Sequence, residues 1–293
     1  IHTGQNYDYE LNQVFFENLG IKKPDIFLDT KSNSPVETVA KIIHKIDNHL
    51  ENLSPDALII LGDTNSCLSA YPAKRRKIPI FHLEAGNRSF DQRVPEEINR
   101  KIVDHISDVN LTYSKISRDY LLREGFPPER TIRVGSPMKE VIDSSKKDID
   151  KSKILKELNL SKDEYILCST HREENIDIED NFISLFTSLN NVSEEFKKEI
   201  ILSAHPRTKK KIEEKNFKLH KNIRLLKPFG YFDYLKLQMN SYVVLSDSGT
   251  IFEESSILKF RAVCIRESNE RPESFEESQV IMSGLKSFDI LNS

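Results

Sequence analysis

The sequence predicts an α/β protein built from two parallel-sheet domains. Three observations predict it. Short apolar runs alternate with longer amphipathic segments, as in parallel sheets covered by helices. The alternation occurs as two series, separated by a charged stretch at 143–153. Only nine glycines occur in 293 residues, and several stand at the end of an apolar run, where a buried strand turns into a helix.

In chain order, Ile1-His2-Thr3-Gly4 reads as the end of a strand, with no opening strand and phosphate-contacting turn before it. Pro35 to Leu50 carries Val39, Ile42, Ile43, Ile46 and Leu50 at helical spacing. Strands follow at 57–61, ending at Gly62, and at 78–83, with Gly86 beyond it. Pro95 to Ile106 is a helix with proline at its start, two glutamates in its first turn, and an apolar stripe of Ile98, Ile102, Val103 and Ile106. Thr131 to Val134 is a further strand, closed by Gly135. The run Asp143 to Lys153 is charged and poor in apolar residues, and reads as an interdomain linker between domains 1–142 and 154–293. The second series has strands at 165–168, 200–202, 223–226, 242–245 and 262–265, with helices at 178–189, 208–217, 232–239 and 251–258.

Composition removes several function classes. Forty-three Lys and Arg stand against 46 Asp and Glu, a formal net charge of -3, which disfavours nucleic acid or an anionic membrane as a partner. No apolar stretch approaches the roughly 20 residues of a spanning helix. Cys67, Cys168 and Cys264 are far apart, so neither a disulfide framework nor a Cys-based metal site is expected, and a reducing, cytoplasmic compartment is.

Ligands of open α/β sheets bind beyond the carboxyl ends of the strands. The first domain places carboxylates there: Asp63, Glu84 and, at the start of the next helix, Glu96. The second places His171 and Arg172 after one strand, His205 after the next, and Ser248-Gly249-Thr250 at a helix start. Taken singly, Asp63 reads as a helix cap, His82 as a satisfied core histidine, Glu96 and Glu97 as first-turn charges, and Ser248-Gly249-Thr250 as an N-cap. Together they describe carboxylates set against two His-Arg clusters and an anion-binding turn. Glu254, a turn and a half further, can accept from ribose hydroxyls, and Tyr234 can stack on a base. No Gly-x-Gly-x-x-Gly is present, so a dinucleotide cofactor is not expected.

Six strings occur in one order: Leu61-Gly62-Asp63-Thr64, His82-Leu83-Glu84-Ala85-Gly86, Pro95-Glu96-Glu97-Ile98-Asn99-Arg100, Thr170-His171-Arg172-Glu173, Ser246-Asp247-Ser248-Gly249 with Glu253-Glu254, and Glu270-Arg271-Pro272-Glu273. They resemble the non-hydrolysing UDP-N-acetylglucosamine 2-epimerases along essentially the whole chain. The string Gly86 to Arg100 is similar to the branch that converts UDP-2-acetamido-2,6-dideoxy-L-talose to UDP-N-acetyl-L-fucosamine for surface polysaccharide. The resemblance implies two Rossmann-like halves facing across a cleft, of the glycosyltransferase-B type, in a cytoplasmic homodimer that needs no cofactor or metal. It implies elimination and re-addition of UDP, with Asp63, Glu84, Glu96 and His171 as catalytic candidates. UDP falls to Arg172, His205, Tyr234, Ser248, Gly249, Thr250 and Glu254. Measured against the family, the chain reads as truncated at both ends, without the opening strand and the C-terminal helix, and Gln5-Asn6 departs from the pattern of members regulated by their substrate. A glycosyltransferase of the same fold and a truncated, non-catalytic nucleotide-sugar binder are the alternatives.

Overall fold

A computed structural model describes residues 1–4, 16, 20–170, 172–266 and 280–293, except for the side chains of Glu173 and Glu174. The chain divides into two units, the first ending at Pro137 and the second beginning at Met138. Each is a parallel α/β layer structure, as the alternation predicts.

The first unit opens with a parallel bridge between His2 and Phe27. The His2 N–H donates to Ile26 O (2.8 Å) and the Leu28 N–H to His2 O (2.9 Å), so Ile1–Gly4 does meet a neighbouring extended segment. Helix α1 (Pro35–Leu53) starts at the Ser34 cap, whose hydroxyl accepts from the Glu37 N–H. It buries Ile42, Ile46 and Leu50. Strands β1 (Leu58–Leu61), β2 (Ile80–Leu83), β3 (Val109–Thr112) and β4 (Thr131–Arg133) form one sheet in the order β1-β2-β3-β4. The short helix α2 (Ala70–Arg75), α3 (Pro95–Ile106) and α4 (Lys115–Arg123) make the crossovers.

Strand β3 escapes the sequence reading because Asn110 and Thr112 interrupt its apolar residues. Both are buried in the sheet, and the Asn110 Nδ2 donates to the Asp104 carbonyl at 3.1 Å. Helix α3 has the expected bounds but the opposite face. It buries Glu97, Asn99, Arg100, Val103 and Asp104, while Ile98 is 50% and Ile102 41% exposed. Of the apolar stripe only Val103 is fully buried, with Ile106 packed beside it, so the inward side is mainly polar.

The stretch 143–153 is also corrected. It belongs for the most part to helix α5 (Met138–Lys151), which buries Ile142, Ser145 and Ile149. Ile142 and Ile149 pack with Leu235 in one cluster. Three inward positions at i, i+3 and i+7 are enough to dock a helix whose remaining face is charged. The boundary between units thus falls five residues earlier than the expected linker, between Pro137 and Met138.

The second unit has a six-stranded sheet in the order β10-β9-β8-β5-β6-β7. Its strands are β5 (Tyr165–Thr170), β6 (Glu199–Ala204), β7 (Ile223–Leu226), β8 (Val243–Ser246), β9 (Ala262–Cys264) and β10 (Ile281–Met282). The covering helices are α6 (Ile154–Glu157), α7 (Glu173–Asp177), α8 (Glu179–Phe196), α9 (Pro206–Glu214), α10 (Tyr231–Asn240), α11 (Ile251–Leu258) and α12 (Ser287–Leu291). Apolar clusters lie on both sheet faces, one around Phe182, Phe186 and Leu202, the other around Leu167, Ile201 and Phe252. From β5 the chain winds outward to β6 and β7 on one side and to β8, β9 and β10 on the other. The point between β5 and β8 is therefore a topological switch, where such sheets hold ligands.

Candidate active site

In the first unit the strand ends present carboxylates on turns that only particular residues can make. Gly62, after β1, has φ +73°, and a Cβ built on it would lie 3.4 Å from the Glu84 Oε2. Glu84, after β2, adopts φ +68° without being glycine, a conformation that side chains resist and that active sites often retain. Gly86, two residues on, has φ +81°, and a Cβ there would come within 2.4 Å of the Ser117 carbonyl. The Glu84 carboxylate is thereby brought to the turn that carries Asp63.

Asp63 is held by a guanidinium. Arg100 donates from Nε (2.9 Å) and Nη2 (2.5 Å) to Asp63 Oδ2, and from Nη1 to Glu97 Oε2 at 2.8 Å. Glu97 is fully buried and also accepts from the Ser89 N–H at 2.9 Å. Burial alone pushes its carboxyl up, but the Ser89 N–H and the Arg100 guanidinium hold it below its usual value. Asn99 donates to the Asp63 carbonyl at 3.0 Å. Glu96 is half-buried on the first turn of α3 and, among the described residues, accepts no hydrogen bond. One helix turn thus supplies a carboxylate, the guanidinium that aims Asp63, and the amide that fixes its backbone.

In the second unit the groups gather at the switch point. Ser169 at the end of β5 and Ser246 at the end of β8 are joined by their hydroxyls at 2.9 Å, and the Tyr234 hydroxyl meets Ser169 at 2.7 Å. Burial raises the Tyr234 phenol, whose ring packs against the core. The buried Asp247 accepts from the Arg172 N–H (3.1 Å) and from Asn175 Nδ2 (3.1 Å), which ties the loop after β5 to the loop after β8. Thr250 caps α11. The Ser248 N–H donates to Ser246 Oγ at 3.1 Å and the Thr250 N–H to Ser248 Oγ at 3.3 Å. Glu254 is buried, its Oε1 accepting from Thr250 Oγ1 and its Oε2 from Gln238 Nε2, each at 2.7 Å. Each carboxylate oxygen has two lone pairs, so acceptor capacity remains. His205 caps α9, with Nδ1 accepting from the Arg207 N–H at 3.3 Å.

The whole chain, residues 1–293, matches the family described as UDP-N-acetylglucosamine 2-epimerase. The chain belongs to that family. It is accordingly an enzyme of the isomerase class. A UDP-N-acetylglucosamine 2-epimerase of Methanococcus maripaludis is 37% identical, the match spanning 100% of this chain and 82% of the relative. A UDP-2,3-diacetamido-2,3-dideoxy-D-glucuronate 2-epimerase of Pseudomonas aeruginosa is 33% identical over 92% of this chain and 75% of its own. Among solved structures, the UDP-N-acetylglucosamine 2-epimerase of Rickettsia bellii superposes with a TM-score of 0.90 at 52% identity, over 99% of this chain and 77% of that one. The Methanocaldococcus jannaschii enzyme, solved with UDP-GlcNAc and UDP, gives 0.91 at 34% identity, over 100% and 82%. The two-unit Rossmann-like α/β architecture is thus that of the epimerases.

Within this epimerase, His171 and the string 270–273 lie outside the described residues, as do Gln5 and Asn6. Asp63 and Glu84 come together at one turn, and Arg172, Ser248, Gly249, Thr250 and Glu254 lie on the loops beyond β5 and β8 and on α11. Sequence reasoning missed Glu97, Arg100 and Asp247. The signal existed for the first two, because Glu97, Arg100 and Asp104 recur at i, i+3 and i+7 and so share one helix face. Among the described residues, no helix is long and apolar enough to cross a membrane.

Proposed function

We propose that this chain is a non-hydrolysing UDP-N-acetylhexosamine 2-epimerase that converts UDP-2-acetamido-2,6-dideoxy-L-talose to UDP-N-acetyl-L-fucosamine for surface polysaccharide. The observation that carries the reaction type is the approach of the Glu84 carboxylate to the Gly62-Asp63 turn. A C2 proton with no adjacent carbonyl is weakly acidic, so inversion proceeds through loss of the anomeric group. A carboxylate takes the C2 proton as the C1–O bond breaks and UDP departs with the bonding pair, leaving a 2-acetamidoglycal. A second proton is then delivered to the opposite face of C2 while UDP re-adds at C1. Asp63 and Glu96 serve as base and acid, with Glu84 as their partner or a third proton carrier. His171, Arg172, His205 and the Ser248-Gly249-Thr250 turn receive the pyrophosphate, Glu254 the ribose and Tyr234 the base. The related Methanocaldococcus jannaschii enzyme, solved with UDP-GlcNAc and UDP, supports a UDP-sugar ligand.

The talose-configured substrate rests on the likeness of Gly86 to Arg100 to that branch, and the diacetamido-glucuronate relative supports a family that accepts varied sugars. The homodimer rests on the family resemblance, and the three buried cysteines support a cytoplasmic location. Incubation in D2O with either UDP-2-acetamido-2,6-dideoxy-L-talose or UDP-N-acetylglucosamine tests the reading by mass spectrometry. Deuterium at C2, with a new isomer, is expected on the first sugar. Asp63→Asn and Glu96→Gln are expected to lower it by about 10²–10⁴-fold, with UDP binding retained. Wild-type exchange in both variants, with a lowered melting temperature alone, would show that these residues are helix caps.

A further inference from the structure

His82 lies on β2 directly behind the turn that carries Asp63, and its side chain is 1% exposed. Its Nε2 is 3.0 Å from the Gly62 carbonyl and its Nδ1 is 2.8 Å from Asp104 Oδ1. A carbonyl can only accept, so Nε2 carries a proton. Asp104 is completely buried. Its other oxygen, Oδ2, accepts from Arg88 Nη1 at 2.7 Å and from the Gly86 N–H at 3.3 Å. Ion pairing of Oδ2 with the buried Arg88 guanidinium favours the carboxylate form of Asp104, and Nδ1 then donates to Oδ1. Both ring nitrogens are donors only in the imidazolium.

We propose that His82 is held permanently as a buried imidazolium, bonded to the Gly62 carbonyl and to Asp104, and that this clamp positions the turns carrying Asp63 and Glu84 for proton transfer.

The charges close around it. From α3, Asp104 faces the ring. From the loop after β2, Arg88 faces Asp104 and forms a two-pronged pair with Glu124, its Nε 2.8 Å and Nη2 2.7 Å from the two carboxylate oxygens. In the adjoining turn Asp63 is paired with Arg100. Cys67 stands near the same groups, and burial, Asp63 and Asp104 push its thiol up to about 12, so it remains neutral. The chain His82⁺–Asp104⁻–Arg88⁺–Glu124⁻ is therefore neutral in sum, which is how buried charges are tolerated. One end holds the Gly62 carbonyl, immediately before Asp63. The Asp104 oxygen in the middle holds the Gly86 N–H, two residues after Glu84. Rotation of either turn would break the same chain, so the spacing of the two carboxylates is set by groups that never touch substrate.

The protonation state stands on hydrogen bonding alone, whereas the positioning role rests on the proposed epimerase reading, and the experiment separates them. Protein labelled with ¹⁵N-histidine is followed by NMR from pH 6 to 9, and His82, one of eight histidines, is assigned by His82→Gln or, should that variant not fold, by the signal that moves in Asp104→Asn. Both ring nitrogens are expected to stay bonded to protons throughout, where an ordinary imidazole titrates near 6.5. A single N–H on that ring at pH 8 would overturn the clamp. For positioning, folded His82→Gln is expected to lose about 10²-fold in kcat with KM unchanged, the scale of a small misplacement of reacting groups. Asp104→Asn is expected to make the ring titrate, so that kcat falls as pH rises while the wild type shows no such step. Unchanged kcat in both variants would overturn the positioning role. A doubly protonated ring in a protein that exchanges no C2 proton on either sugar would leave the clamp standing and remove the epimerase reading.

Discussion

The two units hold their strand-end turns by different chemistry. In the first, the turns beyond β1 and β2 are tied by full charges, through Asp63–Arg100–Glu97 and His82–Asp104–Arg88–Glu124. In the second, the bonds among the described residues that tie the turns beyond β5 and β8 come largely from hydroxyls and amides, through Ser169, Ser246, Tyr234, Thr250 and Gln238, around Asp247 and Glu254. A buried charge network is close to all-or-nothing, because loss of one member strands its partner in low dielectric. A network of hydroxyls and amides fails by smaller steps, since loss of one donor leaves the carboxylate at its centre with its others. On the proposed reading, the first arrangement suits carboxylates that must not drift while a proton moves, and the second a surface that exchanges its hydrogen bonds with a ligand.

The sharpest way to break the comparison is Arg88→Met. It removes the guanidinium while keeping much of the volume, strands Glu124 without its cation and leaves Asp104 with His82 alone. A loss of about 3–5 kcal/mol is expected in urea unfolding followed by circular dichroism. A loss no greater than that of a hydroxyl variant in the second unit would dissolve the distinction.

Next in size is Glu254→Gln. On the proposed reading it should weaken UDP binding by about 1.5–3 kcal/mol, the range for a charged hydrogen bond, in titration calorimetry. Unchanged affinity would take the ribose away from Glu254. A smaller effect is expected of Thr250→Val, which deletes the 2.7 Å bond to Glu254 Oε1. It should lower stability by about 1.5 kcal/mol, the low end for a bond to a charged group, and a loss of about 3–5 kcal/mol would mean that the second unit is clamped as stiffly as the first.

The smallest effect is a slope. Glu97 has its folded carboxyl held below the ordinary value of 4.5. A lowered carboxyl binds fewer protons folded than unfolded, so its contribution is present above that value and is lost as pH falls through the folded one. The urea midpoint of the wild type should therefore decline on acidification below about 4.5 more steeply than that of Glu97→Gln. Parallel curves would show that the network does not carry this linkage.

Helix α3 shows why part of the site was hidden. Its bounds were legible, since Pro95 and the two glutamates mark a helix start. Its orientation was not. Ile98, Ile102, Val103 and Ile106 make an apolar stripe, yet the helix turns Glu97, Arg100 and Asp104 inward. The inward choice becomes favourable only because Asp63, Ser89, His82 and Arg88 wait there from other elements, and no local pattern contains those partners. Strand β3 is a similar case, where the buried Asn110 donates its amide N–H to the Asp104 carbonyl of another element.

By itself the sequence determined the class of fold and the places where chemistry collects. Runs such as Tyr165 to Cys168, buried on both faces, can only be central strands. Gly62, Gly86 and Ser248-Gly249 mark where those runs end. The ordered strings also carried the family, because each is a local constraint that a short segment can express. Tertiary structure alone decided which charges face inward and what state they hold. Whether His82 is a neutral core histidine or a cation depends on a carbonyl 20 residues upstream and a carboxylate 22 residues downstream. A buried group's charge is set by the sum of its neighbours, and those neighbours are assembled only by the fold.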